Sequence, residues 1–97
     1  MRQEVGLLLP NLAAAIAHIP GRADAIEAYA SRDVDFYGLC VDLADAEREA
    51  ARWRASSGLL AEKRCAEYEV LVKELAAEIE LLLNSMATIP FELSPRK

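Results

Sequence analysis

Apolar residues recur along most of this chain in steps of three and four, and few residues break the pattern: Pro10, Pro20-Gly21, Ser56-Ser57-Gly58, Pro90 and Pro95. Such spacing lines one face of a helix, and the breaks mark where helices stop. The pattern predicts an all-α chain. Pro10 suits a first helical turn, so residues 10 to 19 are read as a short helix showing Leu12, Ile16 and Ile19 on one face. Residues 22 to 30 form a second, with Ala23, Ile26 and Tyr29.

A long helix is expected over about 32 to 55. Ser31 is placed to cap it, Asp33 and Asp35 lie in its opening turn, and Arg48, Arg52 and Arg54 lie in its closing turns. These are the signs that the two ends of a helix dipole favour. It carries Phe36, Leu39, Leu43, Ala46, Ala50 and Trp53 as a coiled-coil-like seam. A last helix over about 59 to 87 repeats the device with Cys65, Tyr68, Val72, Leu75, Ile79, Leu82 and Met86, and glutamates and lysines fill its other sides. Residues 88 to 97 are expected to be a non-helical tail.

Two long helices joined by three turn residues fold back on each other as an antiparallel hairpin. With the turn at Ser57-Gly58, residues whose numbers sum to about 115 should face each other. Each long helix spans about 36 Å, and two helices alone cannot cover both apolar faces. The N-terminal helices, or a second copy of the hairpin, must close the open side. A narrower strip at Val70, Ala77 and Leu81 lies half a turn from the main seam of the last helix, where a dimer contact is expected.

Composition narrows the picture. At 97 residues the chain is read as one helical domain, 1–97, near the low end of what folds unaided, so a homodimer or another protein partner would help it. Eleven basic against sixteen acidic residues give a net charge of −5, which is unfavourable for covering a phosphate backbone, so no nucleic-acid partner is expected. Leu7 to Ile19 is apolar, but Pro10-Asn11 interrupts it and Glu4 offsets Arg2, so neither a secretory signal nor a membrane span is expected. Two cysteines, Cys40 and Cys65, suit a reducing cytoplasm. They should lie too far apart along the hairpin to bond, each acting as a small hydrophobe.

Candidate chemistry is sparse. The lone histidine, His18, has no second ligand at metal spacing, and no Glu-x-x-His occurs; no metal or cofactor is expected. Glu47 falls inside the apolar arc, where the register puts it near Tyr68 and Arg64. It either satisfies those partners at the edge of the seam or serves, with Tyr68 and Cys65, as a general base in a small-molecule-binding or catalytic bundle. Arg48, Arg52, Arg54, Lys63 and Arg64 gather at the hairpin tip, where an anion could bind, although Glu47, Glu49, Glu62 and Glu67 share those turns. Trp53 either completes the seam or anchors a partner. Phosphate loops, nucleophile elbows and paired-cysteine zinc spacings do not occur.

The run Arg32-Asp33-Val34-Asp35-Phe36, Leu39-Cys40, Asp42-Leu43, Trp53, Glu67-Tyr68, Leu71-Val72 and Glu78-Ile79 resembles small uncharacterised proteobacterial helical-hairpin proteins of similar length, over most of the chain. The resemblance implies the same fold and a bacterial cytoplasmic setting, and brings no activity with it. The reading that results is a non-enzymatic protein–protein interaction module that self-associates through helical packing.

Overall fold

The structure is a computed structural model describing residues 11–93, with side chains described over 11–85. Four helices and no strand occur among the described residues. Helix α1 is described over 11–18, followed by α2 (Ala23–Ala30), α3 (Val34–Ala55) and α4 (Leu59–Leu93). The two long helices pack against each other as an antiparallel hairpin.

The local chemistry explains the boundaries. Gly21, with φ at +89°, follows Pro20 between the first two helices. Ser31 does not cap α3 as its position suggested; it closes α2, donating through Oγ to the Ala28 carbonyl at 2.8 Å. Asp33 caps α3 instead, its carboxylate accepting from the Phe36 amide at 3.0 Å. Both residues suit a cap, but Asp33 holds extended backbone dihedrals while Ser31 is still helical. At the tip Ser56 donates to the Arg52 carbonyl, and Gly58 turns the chain with φ at +108°, a conformation open to glycine at little cost.

The non-helical tail expected from residue 88 is corrected by α4, which stays helical through Pro90 to Leu93; residues 94–97 lie outside the described residues. Pro90 gives up its own i→i−4 bond, and three residues follow it before the helix ends at Leu93.

The core explains why α1 and α2 are needed. Leu12, Ala15 and Ile19 from α1 and its exit, and Ile26 and Ala30 from α2, join Phe36, Cys40, Leu43, Ala46, Val72, Ile79 and Leu83 in one buried cluster. Full burial of a Leu, Ile or Phe side chain contributes roughly 1.5–3 kcal/mol, so a handful of large residues dominates this core. The N-terminal helices thus close one side of the hairpin. Their presence also widens the buried arc of α3: Cys40 is fully buried, while Leu39, expected in the seam, is half-buried. Tyr29 stacks on Phe36 with ring centroids 4.1 Å apart, and Asn11 donates to the Tyr37 hydroxyl at 2.6 Å.

Candidate functional site

The seam's edge carries the polar side chains that matter. Glu47 leaves α3 toward α1 and meets His18, whose Nε2 pairs with the Glu47 carboxylate. A carboxylate can only accept, so the histidine tautomer that fits carries its proton on Nε2. The expectation that Glu47 sits with Tyr68 and Arg64 is corrected here: Arg64 pairs with Glu67 on its own helix at 3.0 Å, and Tyr68 lines a hollow beside Glu49 and Leu71. The sequence points to His18 only as a lone histidine and not to its contact with Glu47, because the two lie 29 residues apart and helical spacing carries no signal at that range. The only hint was the placement of Glu47 within the apolar arc.

The His18–Glu47 pair opens into a groove of about 450 Å³ with a floor of Ala50, Ala51 and Val72, walled at its other end by Arg54, Glu69 and Lys73. Arg54 bridges the hairpin to the Glu69 carboxylate at 2.8 Å, and the Cys65 thiol donates to the same oxygen at 3.5 Å. The numbers of the Arg54–Glu69 pair sum to 123, above the expected backbone register of 115. Side chains lean toward the start of their own helix, so Arg54 and Glu69 tilt toward each other from displaced backbone positions.

Electrostatics at this end oppose nucleophilic chemistry. Burial, and then the hydrogen bond to Glu69, hold the Cys65 thiol above its ordinary value, with Arg54 only partly countering them. An activated cysteine needs the reverse. The hydrogen bonds from Arg54 and then Cys65 hold Glu69 below the usual carboxylate range. Glu47, Tyr68 and Cys65 line three different hollows, the last beside Trp53 and Ala61.

The basic tip is largely neutralised. Arg48 pairs with Asp45, Arg52 with Glu49, Arg54 with Glu69 and Arg64 with Glu67, all exposed pairs of small individual energy. Lys63 stands exposed without an ion-pair partner among the described residues. Trp53 is half-buried, with the Arg52 guanidinium 5.5 Å from its ring centroid. Among the described residues no cluster of three metal-ligating side chains forms, and no helix is long and apolar enough to cross a membrane.

With that geometry in view, comparison with known protein families, curated proteins and solved structures found no match.

The remaining sequence candidates, Val70, Ala77 and Leu81, are exposed, with Val70 at 54% and Leu81 at 66%. They occupy the side of α4 opposite its buried residues Ala61, Val72, Ile79 and Leu83. Helix α4 therefore carries a narrow exposed apolar strip, flanked by Lys63 and Glu74, on the side away from its buried residues.

Proposed function

We propose that this protein is a non-enzymatic interaction module that self-associates through helical packing, in a bacterial cytoplasmic setting suited to two free thiols. The observation that carries the reading is the uncovered strip Val70–Ala77–Leu81 on the outer face of α4. Exposed apolar side chains scattered singly need no explanation, but a row of them along the outer side of a helix whose other side is already buried belongs against a partner. The small core leaves the chain little stability of its own to spare, and a second chain adds burial where the first has none.

Multi-angle light scattering tests this directly. The expected result is a particle of twice the 10.7 kDa chain mass. Val70→Glu should give a monomer with unchanged far-UV circular dichroism, because Val70 supports no internal packing. A wild-type monomer up to about 100 μM, weaker than the usual range of specific association, refutes the reading.

A further inference from the structure

The hairpin has two sides, and α1 docks on the one where Asn11 meets Tyr37 and His18 meets Glu47. On the other side the long helices leave a hollow of about 350 Å³, with Asp42, Ala46 and Glu49 of α3 on one bank and Tyr68, Leu71 and Leu75 of α4 on the other. Helical spacing continues it toward the open end, through Leu39 three residues before Asp42 and Leu82 seven after Leu75. Leu39, Tyr68, Leu75 and Leu82 are half-buried against the core, and Leu71 is 40% exposed. From Tyr68 to Leu82 the groove runs about 21 Å at 1.5 Å per residue, roughly four helical turns.

The banks of its open half carry charge of one sign. No lysine or arginine occurs in residues 34–47 or 74–93, whereas Asp35 and Asp42 edge the groove on α3 and Glu74 and Glu78 edge it on α4. These four carboxylates are exposed and form no ion pair among the described residues. The bordering cations are engaged elsewhere: Arg48 is held by Asp45, Arg22 donates to Asn84, and Lys73 lines the groove on the opposite side with Glu69.

We infer that this groove receives an amphipathic helix of a partner protein, with apolar side chains seated between the banks and lysines or arginines along both edges. Such a helix takes Leu71 and Leu75 out of water and gives each free carboxylate a cation, the helix-in-groove mode of recognition. A second copy of this chain is a poor fit, because the arginines of its tip, Arg48, Arg52, Arg54 and Arg64, already hold carboxylates of their own. The groove lies on a different face from the strip used in self-association and does not depend on it.

Fluorescence anisotropy with the full chain tests the inference. The probe is a labelled synthetic helix of about 18 residues with leucines along one face and lysines on its flanks, beside a scrambled peptide of the same composition. The expected result at physiological salt is that the ordered peptide binds at least about tenfold tighter than the scrambled one, with amide shifts in the protein centred on Leu39, Leu71 and Leu75. Leu71→Glu, and separately Asp42→Lys with Glu78→Lys, should each weaken binding about tenfold while leaving far-UV circular dichroism unchanged. No binding, equal binding of the scrambled peptide, shifts centred on Val70 and Leu81, or full affinity in either variant overturns it. So does another occupant. Nuclear Overhauser contacts from Leu7, Leu8 or Leu9 to Leu71 in the free protein would assign the groove to the chain's own first residues, and a dimer lost in Leu71→Glu but kept in Val70→Glu would assign it to a second copy.

Discussion

Cys40 shows what burial does to a single side chain. It has no solvent exposure, lies among Phe36, Leu43 and the α1 residues, and burial pushes its thiol from an ordinary value near 9 up to about 11. Because the folded value is raised, folding favours the protonated thiol. This contribution is complete below pH 9 and is lost as pH climbs toward 11. At pH 8 an alkylating reagent should therefore modify half-buried Cys65 first and Cys40 at least about tenfold more slowly, because Cys40 reacts only when the core opens. Equal rates, measured by mass spectrometry over a time course, would show that Cys40 is not in the core. That both cysteines are free and apart was legible in the sequence, because their distance along the hairpin follows from helical rise alone. The His18–Glu47 contact was not, since it depends on where α1 docks, which no local spacing encodes.

For the helices, the hairpin was legible because two long stretches of three-and-four periodicity meet at Ser56-Ser57-Gly58, and α3 and α4 end and begin there. The boundaries away from that turn were less so. The sequence points to Ser31 as the cap and Asp33 as part of the opening turn, but residue type does not rank the two, because backbone dihedrals decide which side chain reaches the free amides. The structure makes the choice testable: Asp33→Ala should lower stability by about 1 kcal/mol, while Ser31→Ala, which touches only the Ala28 carbonyl, should cost less. Urea denaturation of both variants measures this, and the reverse order would assign the cap to Ser31. The extension of α4 beyond Pro90 was missed because a proline past the first turn gives up one backbone bond and crowds the carbonyl four residues back, which reads as a stop, yet three further residues continue the helix.

As a whole the molecule is elongated, 61 × 31 × 21 Å, with a radius of gyration of 16.0 Å against about 13 Å for a compact chain of this size. Helix α4 sets this length, with 35 residues against 22 in α3. An elongated body has much surface for its volume, which is why an apolar strip can remain outside its core. The inside of the body is uneven as well. Ala50 and Ala61 are buried near the tip but stand outside the main cluster, which ends at Ala46 and Val72. Two buried methyl groups, a half-buried Trp53 and a few exposed ion pairs hold one end of the rod, while fully buried aromatic and branched side chains hold the other. The hairpin should accordingly unzip from its turn, and native-state amide exchange would show this as protection falling steadily from residues 36–46 toward 50–65. Uniform protection along both helices would mean that the hairpin opens only as a single cooperative unit.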